Sequence, residues 1–186
     1  IGNWDIAVSR WQADGTHDWW AVTGSSRDDR VQALAVNPQD RPVVGGWLGG
    51  SAQFGSYLLS NVTGDSDFFI AQLYADGTWD WAVKMGGSGD DTTHALLGLS
   101  DGSYIAGGYF SGTVDFGDIP HSATDEDIFV WKFKWDSDGD GVHDFTDNCD
   151  HANNSDQANH DTDELGDACE TDDDNDGKHD AIDDCQ

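Results

Sequence analysis

The chain has 186 residues, enough for one or two domains with a hydrophobic core. Its formal net charge of −29 comes from 37 acidic and 8 basic residues, and such a surface repels nucleic acid. No apolar run approaches the roughly 18 residues of a membrane span, so we expect no membrane insertion.

The charge is unevenly spread along the chain. Residues 136–186 contain 19 acidic residues and one lysine, a net charge of −18, whereas residues 1–135 carry 18 acidic and 7 basic residues, a net charge of −11. This change in composition predicts a boundary near Trp135. We therefore expect two domains, residues 1–135 and residues 136–186.

The first domain contains an internal repeat. After a shift of 62 residues, "DIAVSRWQADGTHDWWAV" from Asp5 matches "DFFIAQLYADGTWDWAVK" from Asp67, and "DIFVWKFKWD" from Asp127 begins a third copy. Repetition with this period is typical of an array of supersecondary units. The repeats fall near residues 5–66 and 67–126, with a partial copy at residues 127–135.

Each repeat predicts four short β-strands. In the second copy, "FFIAQLY" and "WDWAVKM" flank the hairpin signal "ADGT", and "HALLGL" and "SYIAGGYF" flank a turn at residues 100–102. The first copy has corresponding runs around a turn at residues 38–40, and helical periodicity is absent. The prediction is an all-β domain of two four-stranded, blade-like sheets plus an extra strand.

These motifs resemble the β-propeller repeats of bacterial secreted and surface proteins, over residues 5 to about 135. A closed propeller needs about four to eight blades, so two blades and a strand cannot close by themselves. The strands at residues 5–11 and 127–133 are expected to lack partners within the chain. Because an unpaired edge invites strand addition, we hypothesise that chains associate by β-strand complementation.

Residues 136–186 contain a twelve-residue frame three times. Acidic or amide residues recur at positions 1, 3, 5, 9 and 12, and position 7 can offer a backbone carbonyl. Ca²⁺ takes six to eight oxygen ligands at about 2.3–2.6 Å, and alternate side chains of a tight loop can converge on one ion. The predicted ligands are Asp136, Asp138, Asp140, Val142, Asp144 and Asp147; Asn159, Asp161, Asp163, Leu165, Asp167 and Glu170; and Asp172, Asp174, Asp176, Lys178, Asp180 and Asp183.

The flanking sequence excludes an EF-hand or a dockerin, which need helices beside the loop. A predicted strand precedes the first frame, and the polar run "NCDHANNSDQANHD" follows it. Glycine stands at position 6 in the first and third frames, but Glu164 replaces it in the second, which predicts a differently shaped loop. His143 and His179 share position 8 and are predicted to be exposed loop residues rather than ligands.

The frames, with Cys149 and Cys185 just after the first and third and Cys169 near the end of the second, closely resemble the thrombospondin type 3 repeat over residues 136–185. This resemblance implies an extended segment with little regular secondary structure that holds three or more Ca²⁺ ions. It also implies a disulfide between Cys149 and Cys169, with Cys185 paired beyond residue 186 or in another chain. Asn159 departs from the family pattern, and we expect it to weaken the second site.

Other candidate chemistry is weaker. The Asp-Asp pairs at residues 28–29 and 90–91 are repeat-equivalent, which favours a structural role over catalysis, and no nucleophile elbow or phosphate loop occurs. We therefore expect no enzymatic activity. Among the nine tryptophans, Trp4, Trp20 and Trp79 are the candidates for exposed residues that stack on sugars.

Our leading hypothesis is an extracellular or cell-surface calcium-binding structural protein, a subunit of a surface fibre or adhesive filament. It would self-associate through β-strand complementation and carry a calcium-stabilised stalk. The alternative is an adhesin or a secreted-enzyme accessory module that binds glycans or proteins.

Overall fold

The predicted β-strands form in the first of two units. The computed structural model describes residues 4–60, 66–116, 120–144 and 146–180, and the chain divides into the units Ile1–Phe133 and Lys134–Gln186. Among the described residues, the second unit contains one short 3₁₀ turn, Asp167–Cys169, and no strand. The all-β class and the irregular C-terminal segment are therefore confirmed.

The strands of the first unit form three antiparallel sheets and a small hairpin. The first sheet pairs β1 (Ile6–Trp11) with β2 (His17–Thr23). The middle sheet has the order β3 (Asp29–Val36), β4 (Pro42–Leu48), β7 (Asp67–Leu73), β8 (Trp79–Met85). The last sheet has the order β11 (Pro120–Phe133), β10 (Tyr104–Asp115), β9 (Thr92–Gly98), and the hairpin pairs β5 (Ala52–Phe54) with β6 (Tyr57–Leu59).

The sheets form across the boundaries of the sequence repeats. In the middle sheet, β3 and β4 come from the first repeat and β7 and β8 from the second, while β11 of the partial third copy joins β9 and β10. The strands at residues 5–11 and 127–133 therefore have partners, β2 and β10, contrary to our expectation. The reason is that each sequence repeat starts in the middle of a sheet.

The "ADGT" segments form tight hairpin turns. Gly77 has a φ of 86° and its N–H donates to the Tyr74 carbonyl at 3.1 Å, while Thr78 N donates to Asp76 Oδ1 at 3.0 Å. A positive φ is easily adopted by glycine, and the aspartate side chain satisfies the N–H two residues on. Gly15 has a φ of 85° in the equivalent turn between β1 and β2.

The first apolar core lies between the first and middle sheets. It joins Ile6 and Ala21 of the first sheet to Phe69, Ala71 and Leu73 of β7. Side chains of a strand alternate between its two faces, so this alternate set defines one face of the middle sheet. We call the face that carries Phe69 the back face, and the opposite face the front face.

The second apolar core lies between the front face of the middle sheet and the last sheet. Phe68 is stacked against Phe129 of β11, with ring centroids 5.1 Å apart. Trp81 of β8 is buried and meets Tyr104 and Phe133 edge-on at 5.9 and 6.4 Å. Strand β7 is thus buried on both faces, which explains its nearly continuous apolar sequence.

The described residues form an open stack of sheets and no closed propeller. The faces of the other sheets are named by repeat equivalence: Ile6 of β1 corresponds to Phe68, on the front face, and Phe129 of β11 corresponds to Phe69, on the back face. Each sheet thus presents its front face to the back face of the next. Among these residues, no helix is long and apolar enough to cross a bilayer.

Two buried aspartates occupy repeat-equivalent positions: Asp29 is the first residue of β3, and Asp91 immediately precedes β9. Asp29 accepts hydrogen bonds from the backbone N–H and, at 2.9 Å, the hydroxyl of Ser25. Asp91 accepts the N–H groups of Gly87 and Ser111, both at 3.0 Å. These contacts hold loops of the β-sheet unit together, which is a structural use of the two Asp-Asp pairs. Burial raises the pKa of Asp91 to about 6 although both hydrogen bonds oppose that shift.

The raised pKa of Asp91 predicts a pH-dependent stability of the β-sheet unit. The folded chain holds this proton at pH values where the unfolded chain has lost it, so stability falls as pH rises from about 4 to 6. Relative to Asp91→Asn, the wild type should lose up to about 3 kcal/mol over that interval. Urea unfolding followed by tryptophan fluorescence measures it, since eight of the nine tryptophans precede residue 134.

Asp125→Asn, at an exposed carboxylate, is the control for removing a negative charge. Stabilities of the wild type and Asp91→Asn that run parallel between pH 4 and 6 would contradict the prediction.

Candidate metal centre

Three groups of carboxylates lie close together in the second unit. Within each group the side chains bring one oxygen apiece to within 4.8 Å of one another. The groups come from successive twelve-residue frames, at positions 1, 3 and 5 in the first and third and at positions 3, 5 and 12 in the second. They are Asp136, Asp138 and Asp140; Asp161, Asp163 and Glu170; and Asp172, Asp174 and Asp176.

The first loop is organised by hydrogen bonds from its own backbone to its carboxylates. Asp136 accepts the N–H groups of Gly139 at 2.7 Å and Gly141 at 3.2 Å, one on each oxygen. Asp138 Oδ1 accepts Asp140 N at 3.1 Å. Each carboxylate is therefore oriented by the backbone N–H two, three or five residues further on, and alternate side chains converge.

The other two loops repeat this bonding. In the third, Asp172 accepts the N–H of Gly177 at 2.9 Å, and Asp174 accepts that of Asp176 at 3.1 Å. In the second, Asp161 accepts the N–H of Asp163 at 3.0 Å. The residues at position 7 also donate in this way, since their N–H groups bind the position-5 carboxylates: Val142 to Asp140 at 2.8 Å, Leu165 to Asp163 at 2.7 Å, and Lys178 to Asp176 at 2.9 Å.

Position 4 of the frame has a positive φ in all three loops, a feature that the sequence analysis missed. Gly139, Thr162 and Asn175 have φ values of 82°, 66° and 53°. Position 6 has a positive φ at Gly141 and Gly177 only, because Glu164 replaces glycine in the second loop. The second loop thus differs in shape at the place where the sequence departs from the pattern.

Several carboxylate oxygens in these loops are shielded from water yet accept no hydrogen bond. Among the described residues they include Asp138 Oδ2, Asp147 Oδ2 and Glu170 Oε2. A buried anionic oxygen without a donor is costly, and a cation can supply the missing interaction. The arrangement therefore fits a hard divalent cation that prefers oxygen ligands, as Ca²⁺ does.

The electrostatics of the loops agree with this interpretation. Desolvation raises the pKa of Asp138, and the negative charges of Asp140 and Asp147 add to the effect. Desolvation likewise raises the pKa of Glu170, followed by the charges of Asp163 and Asp161. Carboxylates in such a site repel one another, and their attraction to a bound cation would offset that repulsion.

The position-9 aspartates bind the beginning of their own loops. Asp144 accepts the backbone N–H of Ser137 at 2.7 Å and its hydroxyl at 2.6 Å. Asp167 and Asp180 accept the equivalent position-2 N–H groups, of His160 at 2.8 Å and of Asp173 at 2.9 Å. None of these three aspartates is in a carboxylate cluster of the described residues. They close the loops.

The remaining predicted ligands are placed as follows. Asp147 Oδ1 accepts the N–H of Cys149 at 2.8 Å, which leaves Oδ2 bare. Asn159 binds its own loop, accepting the N–H of Thr162 at 2.6 Å and donating to the Asp163 carbonyl at 3.0 Å. Asp183 and Cys185 lie outside the described residues.

A network of amide side chains supports the first loop, and the sequence analysis did not identify it. Asn154 N donates to Asp140 Oδ2 at 2.9 Å, and the Asn154 amide donates to Asn148 Oδ1 at 2.6 Å. Gln157 Nε2 donates to Asp147 Oδ1 at 2.8 Å. The only signal in the sequence is the Asn- and Gln-rich run between the first two frames.

Cys149 and Cys169 form a disulfide, as the resemblance implied. The bond closes a segment with a sequence separation of 20 residues, and the Cys149 side chain is buried. Gly166 lies beside it, where an added Cβ would come within 2.5 Å of Asn148 side-chain atoms. A crosslink of this span restricts the unfolded chain and stabilises the fold by about 3 kcal/mol in the chain-entropy model.

Two other expectations need correction. His143 is half-buried rather than exposed, because it packs on Trp135 with ring centroids 4.4 Å apart, and burial lowers its pKa. Trp79 is partly buried against Phe54, at 4.8 Å, and is not an exposed tryptophan. His179 and the other two candidate tryptophans, Trp4 and Trp20, are exposed.

The fold and the loops together define a class: a β-sheet unit followed by an irregular, aspartate-rich unit built for divalent cations. The thrombospondin type 3 repeat family matches residues 134–157 and 158–186. The C-terminal unit is therefore similar to thrombospondin type 3 repeats, which are calcium-binding and occur in extracellular proteins. No curated protein matches the chain. The two matched segments cover both sides of the disulfide and all three loops.

The first cluster predicts the effect of Asp138→Asn on calcium binding. Asparagine has nearly the same shape as aspartate, but it lacks the negative charge of the Asp138 carboxylate, whose Oδ2 is the shielded oxygen without a hydrogen bond. The dissociation constant of one bound Ca²⁺ should therefore rise by at least about tenfold. Isothermal titration calorimetry with Ca²⁺ at fixed ionic strength measures this change.

Asp150→Asn is the matched control, because Asp150 lies in the same segment but pairs with His151 and belongs to no cluster of the described residues. It removes the same charge. Equal weakening by both substitutions would mean that general electrostatics, not ligation, holds the ion.

Proposed function

We propose that this protein is an extracellular, calcium-stabilised structural protein, a subunit of a surface fibre or adhesive filament. The observation that carries the proposal is the set of bare, shielded carboxylate oxygens in three similarly bonded loops. Cys149 is the only buried hydrophobic residue among the described residues of that unit. Such a segment needs a source of stability other than an apolar core.

Calcium supplies that stability. Residues 136–186 have a net charge of −18, and three Ca²⁺ ions, the minimum we propose, contribute +6. Because a site of this kind does not exist in the unfolded chain, the free energy of binding becomes free energy of folding. The segment therefore acts as a stalk that is ordered only where calcium is plentiful.

An extracellular location fits this dependence. Extracellular calcium modules work at dissociation constants of about 10⁻⁴–10⁻³ M, concentrations that the cytosol does not offer. The disulfide also favours an oxidising compartment. We propose secretion or display on the cell surface, and a structural role without catalysis.

Self-association is supported by the outer edge of β11. In the middle sheet, β7 pairs with β4 on one side and β8 on the other. Its repeat-equivalent β11 pairs with β10, and the described residues contain no strand on its other side. A cavity of about 700 Å³ lies there, lined by Phe116 and residues 127–132 among others. This edge can accept a strand from a second chain.

A second candidate function is supported by two exposed indole rings. Trp4 and Trp20 have exposed side chains that could stack on sugar rings, as in an adhesin or an accessory module of a secreted enzyme. Retention on a glycan array that is lost in Trp20→Ala, without filaments in calcium, would favour this alternative.

Removal of calcium should unfold the second unit and spare the first. With a chelator, amide hydrogen exchange should become fast over residues 134–180 and remain slow in β7, which is buried on both faces. Filaments seen by electron microscopy in calcium should shorten or disappear. Restoring Ca²⁺, but not an equal ionic strength of Na⁺, should reverse both changes.

Exchange rates in residues 134–180 that do not depend on the chelator would contradict the proposed role of calcium. Persistence of full-length filaments without Ca²⁺ would contradict only the stalk's part in assembly.

Strand complementation predicts that a peptide containing β8 caps β11. The peptide of residues 76–86 carries the strand that covers the equivalent edge of β7, so in excess it should occupy the edge of β11 and shorten filaments. Electron microscopy measures filament length, and a scrambled peptide of the same composition is the control. Filaments unaffected by a peptide that is shown to bind would argue against growth through this edge.

A further inference from the structure

The two outer faces of the stack of sheets are apolar and uncovered. Inside the chain, the front face of the first sheet covers the back face of the middle sheet, and the last sheet covers the front face of the middle sheet. The internal repeat makes it possible to compare each end position with its buried equivalent. The sheet that covers each buried equivalent indicates what kind of surface could cover the exposed position.

The front face of the last sheet carries the side chains that are buried in the middle sheet. Ile128 and Val130 of β11 are 86% and 81% exposed, whereas their repeat equivalents in β7, Phe68 and Ile70, are both 0% exposed. Leu97 of β9 lies on the same face through its pairing with β10 and is also exposed. These positions are apolar in both sheets, but only the middle sheet has a cover.

The back face of the first sheet shows the same contrast. Trp20 and Trp11 are 70% and 61% exposed, and their equivalents in the middle sheet, Ala82 and Leu73, are 6% and 0% exposed in the first core. Val22 is adjacent to Trp20 on this face and is exposed as well. The first sheet therefore ends the stack with an apolar surface.

These outer faces are more apolar than the outer faces of terminal repeats in repeat proteins usually are. Terminal repeats that face water usually have a polar outer face, because an exposed apolar layer promotes association. Here both ends keep isoleucine, valine and tryptophan at positions that a cap would make polar. The exposed faces are also opposite in kind, a front face at one end and a back face at the other.

We propose that the front face of the last sheet packs against the back face of the first sheet of a second copy of this chain. The contact continues the front-to-back packing that already joins the three sheets within one chain, so no new kind of interface is required. Because the two faces differ, the contact is head-to-tail and generates a filament or a ring rather than a symmetric dimer. The inference rests on the proposed self-association and adds a second contact, between sheet faces, to the strand pairing at the edge of β11.

The test uses two double variants of the whole chain, in calcium. Ile128→Glu with Val130→Glu blocks the front face, and Trp20→Glu with Val22→Glu blocks the back face. All four side chains are exposed, so the fold should persist, which circular dichroism and tryptophan fluorescence verify. Leu58→Glu, an exposed leucine in the β5–β6 hairpin outside both faces, is the matched control.

With the edge of β11 occupied by an excess of the peptide of residues 76–86, analytical ultracentrifugation should show oligomers for the wild type and Leu58→Glu, and monomers of one 20.1 kDa chain for each blocked variant alone. An equimolar mixture of the two blocked variants retains one intact front face and one intact back face. It should therefore form a one-to-one dimer and nothing larger.

A monomeric wild type, or blocked variants that assemble as the wild type does, would overturn the proposal. So would a back-blocked variant that dimerises alone, since this indicates front-to-front packing. Calcium titration of the same samples separates the two hypotheses: normal calcium binding with no stacking rejects only the interface, and absent calcium binding rejects the proposed function.

Discussion

The hydrogen bond from a backbone N–H to an aspartate carboxylate organises both units of this protein. In the β-sheet unit, Asp29 and Asp91 fasten loops to neighbouring segments, and Asp76 closes a hairpin turn. In the second unit, the same bond orients Asp136 and Asp138 within a loop. The difference lies in the second oxygen. Asp91 binds an N–H with each oxygen, whereas Asp138 leaves one shielded oxygen bare within a cluster of carboxylates, an arrangement that suits a cation.

The β-sheet unit depends on a second constraint, which is that a twisted sheet with two apolar faces must be covered on both. The middle sheet meets this condition within the chain, through Phe69 on one face and Phe68 on the other. The end sheets do not. The first and last sheets therefore each present an uncovered apolar face, and packing against a further copy can cover it. The proposed calcium-dependent order and the proposed assembly thus have separate physical causes.

Much of the fold and of the site followed from short-range patterns. The "ADGT" turns and the alternating strands beside Gly77 are local, and so are the frames that contain Asp138 and Asp174. Pairing partners were harder to predict, because β11 joins β10 of the preceding repeat through long-range contacts. The spacing also could not separate Asp144, which binds Ser137, from the clustered aspartates, since both kinds of residue occur at regular positions.

The sequence by itself determined the all-β class and the three acidic frames, because each depends on residue type and spacing, whereas the pairing of Cys149 with Cys169 was implied by the resemblance to the thrombospondin type 3 repeat. Only the tertiary structure decided that sheets form across the repeat boundaries. It also decided that Trp79 is partly buried while Trp20 is exposed, and that Ile128 is exposed although its repeat equivalent Phe68 is buried. The physical reason is that burial is a property of neighbours. Equivalent residues of a repeat have the same local preferences, but an end position lacks the sheet that covers an internal one.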